Sequence, residues 1–301
     1  MTRVFGVDLG GTSLRAAVAD ERGRVLDERA EPVGGLTAQG FAVRVRQLAA
    51  TLCPEAPAAI AVGLPGPVGP GGVVGHAVNA PFLAGAPIRS LLEEELDLPV
   101  VVENDVNLAA LGEQRQGRAR GVQDVAFIAV GTGVGMGLVV GGRILRGARG
   151  GAGELGLLPL GPDRVASDLA QLGPLEVVAA GAGLAARWVA HTGAPASGRD
   201  VFAAAEAGDP AALALLEDQA AALAMGVRAV QALLDPELVV FGGGMGARHD
   251  VLARVQAALA AHGTPPPAVE LSALGERAGL IGALEAALDA AGDVALTRME
   301  R

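Results

Sequence analysis

The chain carries one local pattern twice: an apolar strand, a turn of glycine and threonine, and a second strand. Val7-Asp8-Leu9-Gly10-Gly11-Thr12 opens the first copy, and Val130-Gly131-Thr132-Gly133-Val134-Gly135 opens the second. Apolar runs separated by such turn residues predict hairpins. The first copy joins strands at Arg3 to Leu9 and Leu14 to Ala19, then turns at Asp20 to Gly23 into a strand at Arg24 to Arg29. The second joins Val125 to Val130 and Met136 to Val140, then turns at Gly141-Gly142 into Arg143 to Leu145. Each meander needs a second layer against its apolar face, so the repeat constrains the chain to two α/β halves.

The intervening segments supply those layers. Thr37 to Leu52 places Phe41, Val45, Leu48 and Leu52 at helical spacing. A strand at Ala58 to Leu64, a helix at Ile88 to Leu96, a strand at Pro99 to Val102 and a helix at Asn107 to Gln116 follow. Beyond Leu175 the pattern is largely helical, broken by strands at Leu238 to Phe241 and Val269 to Ser272. A last helix at Leu280 to Ala291 is expected to return to the first half. The expected fold is α/β, a two-domain actin-like (ribonuclease H-like) ATPase fold with a cleft between the halves. The smaller domain would hold residues 1–107 and about 284–301, and the larger 108–283.

Composition removes several function classes. All 23 basic residues are arginine. Without lysine there is no P-loop, no protein-kinase phosphate lysine and no Schiff-base chemistry. Cys53 is the single cysteine. That excludes an internal disulfide and a thiolate metal cluster. A net charge of −10 argues against a nucleic-acid partner. The first residues run straight into a strand, so no secretory leader is expected. No apolar run reaches the ~18 residues of a spanning helix. The expected location is the cytoplasm, with no membrane partner.

Five segments carry candidate chemistry. Gly10 and Gly11 let a backbone approach a phosphate, Thr12 adds a hydroxyl, and Asp8 at the strand end suits magnesium, directly or through water. The same turn also reads as an ordinary hairpin whose glycines supply positive φ. In Val130 to Gly137 glycine recurs at alternate positions, which weakens a strand that only packs and favours a second phosphate cradle. Glu103-Asn104-Asp105-Val106-Asn107 puts an amide and a carboxylate between a buried strand and a helix, either as ligands or as a helix cap. Glu154, among glycines in Gly153-Glu154-Leu155-Gly156, is a sugar-hydroxyl acceptor or part of a surface loop. Gly242-Gly243-Gly244 either lets a flat ring lie on the backbone or turns the chain into a helix.

In this order and spacing the segments resemble the ROK family of bacterial sugar kinases, its glucokinases in particular, over nearly the whole chain. Leu234-Asp235-Pro236 and the stretch from Leu274-Gly275 to Leu284 add to the likeness. The resemblance implies an ATP- and Mg2+-dependent hexose kinase with Asp105 as catalytic base. It implies sugar contacts from Asn79, Asn104, Asp105, Glu154 and Glu176. It implies phosphate contacts from Gly10, Gly11, Thr12, Gly131, Thr132 and Gly133, adenosine beside Gly243 and Gly244, and Asp8 facing magnesium. A homodimer or homotetramer is implied as well. Glucose is the first expectation; fructose, mannose, N-acetylglucosamine or N-acetylmannosamine are alternatives, as is a non-catalytic sugar sensor. The chain departs from the family pattern at Leu157, which stands where the family has a sugar- and zinc-binding His. The stretch Gly161 to Leu175 also lacks the zinc cysteines. No zinc site is therefore expected. Phe82 stands where glucokinases often have Trp.

Overall fold

A computed structural model describes residues 2–75, 77, 80–160, 172–261 and 263–299. The chain divides into two compact units, one of residues 1–121, 143–152 and 277–301, the other of residues 122–142 and 153–276.

In the first unit β1 (Arg3–Leu9), β2 (Ser13–Asp20) and β3 (Val25–Pro32) form the expected antiparallel meander. Helix α1 (Ala38–Leu52) follows, its Thr37 side chain capping the Gly40 N–H at 3.0 Å. Then come β4 (Ile60–Leu64), α2 (Ile88–Leu96), β5 (Val100–Asn104) and α3 (Asp105–Gln116). The sheet order is β3-β2-β1-β4-β5, with β1, β4 and β5 parallel. All of β4 is buried, as befits a parallel strand covered on both faces.

The period-two pleat of β1 sorts its side chains. Phe5, Val7 and Leu9 enter the core that holds Phe41 and Val45 of α1. Gly6 and Asp8 face α10 (Ala278–Met299), where Leu284 and Gly279 lie against them. Phe82 packs on the same core, its ring 6.4 Å from that of Phe41.

Helices α3 and α10 meet through glycine. A Cβ at Gly282 would sit 1.7 Å from the Leu108 carbonyl oxygen, and one at Gly112 would sit 2.5 Å from that of Ala278. This contact keeps the whole of α3 with the first unit, so the units part after residue 121 rather than at the expected 107/108.

The second unit contains β6 (Val125–Val130) and β7 (Val134–Val140), an antiparallel pair. Strand β8 (Arg143–Ile144) belongs to the first unit, where it packs on α3. The second unit continues with α4 (Pro174–Ala179), α5 (Gly181–Thr192), α6 (Gly198–Glu206), α7 (Pro210–Leu234), β9 (Leu238–Gly242), α8 (Gly243–Gly246), α9 (His249–Ala260) and β10 (Ala268–Leu271). Within this unit the strands lie in the order β10-β9-β6-β7. Asp209 caps α7 by accepting from the N–H groups of Ala211 and Ala212. No helix among the described residues is long and apolar enough to cross a membrane.

Gly282→Ala is expected to force α10 away from α3 and to lower stability by about 1–3 kcal/mol, as overpacking does. Thermal unfolding checks this; a midpoint equal to wild type would show that the two helices separate without cost.

Candidate active site

Strand β5 passes into α3 with no intervening residue, and Asn104 makes this possible. Its Oδ1 accepts from the backbone N–H groups of Val106 and Asn107, both at 3.0 Å. Its Nδ2 donates to the Gly66 carbonyl and to Asp105 Oδ1, both at 3.1 Å. The cap and the ligand readings of this segment thus fall on different residues: Asn104 caps, and Asp105 stands free of that task at the first helical position. Asp105 Oδ1 accepts a second bond, from the Val106 N–H at 2.9 Å. Both of these contacts fall on Oδ1 rather than Oδ2.

The residue before Asn104 is one the sequence reading left without a role. Glu103 is buried at the inward edge of β5. Its Oε1 accepts from the Asn104 N–H and from Asn107 Nδ2, each at 2.9 Å, and its Oε2 pairs with Arg146. The signal in the sequence is a carboxylate that continues an all-apolar strand.

Asp8 comes to the same place from β1. It lies in register with Arg15 on one side and Gly63 on the other, and Gly63 lies beside Glu103. Gly63 lies beside both: its missing Cβ would stand 3.0 Å from Leu108 Cδ1, with Asp8 Oδ1 at 3.5 Å and the Asp105 Cα at 3.6 Å in ordinary contact. Gly279 leaves room for Asp8, its missing Cβ 2.9 Å from Oδ1. Burial pushes the Asp8 carboxyl up to about 6, against the pull of the Arg15 guanidinium. Burial pushes Asp105 up to about 7, and the Asp8 charge adds to the rise. Two neighbouring carboxylates whose charge is poorly offset are hard oxygen donors suited to a divalent cation. The turn that follows Asp8 closes through the Gly10 N–H and the Ser13 carbonyl at 2.9 Å, leaving Gly11 and Thr12 exposed.

In the second unit the turn between β6 and β7 is three residues long, because Val130 pairs with Val134 and the strand starts earlier than Met136. The Gly131 N–H donates to the Gly133 carbonyl at 2.9 Å. The carbonyls of Gly131 and Thr132 accept from the Gly181 and Ala182 N–H groups that open α5, at 2.9 and 3.1 Å. The turn is one wall of a cavity of about 820 Å³, which Gly244, Met245, Phe202 and Arg248 also line. The Arg248 guanidinium lies 4.4 Å from the centre of the Phe202 ring and pairs with Glu206 and Asp250. The volume is that of a small-molecule or cofactor site.

The glycines of this cavity differ in their reasons. Neither Gly131 nor Gly244 has φ in the left-handed range, and nothing lies within 4 Å of the place a Cβ would occupy. Local conformation and local packing would both allow a side chain there, and the open space is that of the cavity. Gly243 is different: its φ is +80° and a Cβ would stand 2.6 Å from the Val130 carbonyl oxygen. Gly133 packs on the Glu176 carboxylate, 2.6 Å from its missing Cβ. The first turn also lacks the conformational reason, since Gly10 has no positive φ.

Glu154 and Glu176 lie together in this unit. The Glu154 carboxyl is pushed up by partial burial and by the charge of Glu176. Glu176 Oε1 accepts from the Val134 N–H at 2.8 Å and its Oε2 from the Gly173 N–H at 3.0 Å. Leu157 is exposed. Asn79 and residues 161–171, where the zinc ligands of the resemblance would fall, lie outside the described residues.

The model of the ROK family matches residues 4–290. The chain belongs to the ROK family. It is similar to the glucokinase of Halalkalibacterium halodurans, 32% identical over 309 residues and 92% of each chain. It is similar to the N-acetylmannosamine kinase of Escherichia fergusonii, 32% identical over 287 residues, 93% of this chain and 96% of that one. The bifunctional enzyme NanE/NanK of Brucella suis is 39% identical over 203 residues, 67% of this chain; the match spans 37% of that longer protein. Among solved structures, the ROK hexokinase of Thermus thermophilus has a TM-score of 0.85 and 36% identity, covering 97% of this chain and 99% of that one. A ROK glucokinase from Streptomyces griseus, solved with glucose and AMPPNP, has a TM-score of 0.74 and 31% identity, covering 95% and 99%. The two-domain actin-like fold expected from the doubled hairpin is the fold of this ROK protein.

The raised acid of Asp105 has a stability consequence. Between the ordinary value of 3.8 and about 7 the folded chain holds a proton that the unfolded chain releases, so stability falls as pH rises through that window. Asp105→Asn keeps an oxygen for the Val106 and Asn104 donors and removes the buried charge. Its unfolding midpoint is expected above wild type at pH 8, with the gap closing as the pH falls toward 4. Thermal melts across that range check the sign.

Proposed function

We propose that the chain is an ATP-dependent sugar kinase that transfers the γ-phosphoryl group to the 6-hydroxyl of a hexose, with glucose as first acceptor. The carrying observation is Asp105: a carboxylate fixed at a strand–helix junction by contacts on Oδ1, its pKa raised to about 7 beside Asp8. A general base is most effective when its pKa lies near the working pH. As the sugar oxygen attacks the γ-phosphorus, its proton passes to Asp105 Oδ2. The bond from the γ-phosphorus to the bridging oxygen breaks, and ADP leaves.

Phosphoryl transfer depends mainly on positioning and charge stabilisation. The N–H groups of Gly11, Thr12, Thr132 and Gly133 would hold the phosphates, while Gly10 and Gly131, whose N–H groups close the two turns, would serve by leaving room. The 820 Å³ cavity supports the nucleotide reading, with Gly244 as the wall beside the adenosine. Magnesium would be held at Asp8, directly or through water, and would offset the phosphate charge. Glu154 and Glu176 would accept from sugar hydroxyls. Asn104 already uses both of its amide hydrogens, so it would donate to the sugar only by releasing Gly66 or Asp105.

The second acceptor class is an N-acetylhexosamine. The similarity to an N-acetylmannosamine kinase favours it, as does the exposed Leu157 at the position where the resemblance places a sugar-binding His.

A coupled ADP assay over glucose, mannose, fructose, N-acetylglucosamine and N-acetylmannosamine tests the reading. ADP release is expected only with sugar; release that ignores sugar would overturn the kinase assignment. Asp105→Ala is expected to keep ADP and sugar binding and to lose about 10²–10⁴-fold in kcat. Wild-type kcat/KM is expected to rise with pH to about 7 and then level, because the base must be ionised. The variant's residual rate is expected to lack that step.

A further inference from the structure

Glu176 sits where the sugar side and the donor turn meet within the second unit, and both of its oxygens are already in use. Oε1 holds the Val134 N–H at 2.8 Å, the first N–H after the Gly131-Thr132-Gly133 turn. Oε2 holds the Gly173 N–H at 3.0 Å, closing the first turn of α4 with the N3 carboxylate half of a capping box. Two glycines fit around this side chain. A Cβ at Gly133 would lie 2.6 Å from Oε1, and one at Gly156 would lie 2.5 Å from Cγ. A carboxylate that only met a sugar hydroxyl would not need its neighbours reduced to glycine on two sides, nor its oxygens bound to two backbone segments.

We propose that Glu176 is a positioning residue for the donor phosphates: its carboxylate latches the Gly131–Gly133 turn to the start of α4, and so fixes the backbone N–H groups that would receive ATP. This rests on the kinase reading and extends it, because the same side chain abuts Glu154 on the sugar side. The latch acts from the far end of the turn. The near end is held by the bonds from Gly181 and Ala182 to the Gly131 and Thr132 carbonyls. Charge matters as well as shape, since a carboxylate accepts at both oxygens and an amide at only one.

The test is MgADP binding to the full chain by titration calorimetry with no sugar present, a readout that a purely sugar-binding residue would not move. Glu176→Gln is expected to weaken MgADP by about tenfold or more, the range for losing a bond to a charged acceptor. Glu154→Gln, in the same assay, is expected to bind MgADP as wild type does while raising the sugar KM. Gly156→Ala keeps the carboxylate but pushes its stem, and is expected to weaken MgADP in the same direction as Glu176→Gln. Unchanged MgADP affinity in both Glu176→Gln and Gly156→Ala, with a raised sugar KM for the former, would overturn the latch and leave the kinase reading standing. No MgADP binding by the wild-type chain, with no sugar-dependent ADP release, would overturn the kinase reading and the latch with it.

Discussion

The bond set of one amide governs the junction of β5 and α3. Asn104 ends β5 and supplies the acceptor for two of the N–H groups that open α3. A helix start leaves its first N–H groups without internal partners, and a side-chain oxygen at the cap position is worth about 1 kcal/mol. With the cap in the strand's last residue, no loop is required between strand and helix. Asp105 is therefore carried on two rigid elements at once, and Glu103 anchors the backbone just before them. The α3–α10 glycine contact then fixes α3 against the sheet. Each of these features narrows the positions open to the Asp105 carboxylate.

That placement has a cost in the charges it brings together. Asp8 and Asp105 are pushed up because burial removes water, and the charge of Asp8 adds to the rise of Asp105. A chain selected only for stability would separate or replace them. Here they stay together, and Gly279 clears the space that the Asp8 carboxylate occupies. Destabilising groups held together by surrounding packing are the mark of a site whose strain is offset when its ligands bind.

Much of this was legible in the sequence, and the limits are physical. Strands with continuous apolar runs, such as Val125–Val130, and helices with clear spacing, such as Ile88–Leu96, stand where the pattern puts them. The start of α3 was misplaced by two residues because Asp105 and Val106 have no apolar periodicity, and the cap that recruits them depends on one side chain's geometry. The domain boundary at 107/108 followed the motif rather than the packing. Nothing local in Gly112 or Gly282 says that they face each other from opposite ends of the chain. Glu103 escaped for a related reason, since its partner Arg146 is supplied by a distant segment.

Glycine shows most sharply what a motif conceals. Gly131, Gly133 and Gly243 look alike in the sequence and were all assigned to the nucleotide. Gly243 is glycine for its positive φ and its contact with Val130; Gly133 is glycine because the Glu176 carboxylate occupies its side-chain space; Gly131 has neither reason. Gly131 is of a third kind, with room and ordinary dihedrals, and it opens on the 820 Å³ cavity. Gly244 is of the same kind and opens on the same cavity. The cavity is thus bordered by two absent side chains, while Gly133 and Gly243 are glycine for the packing of the motif itself.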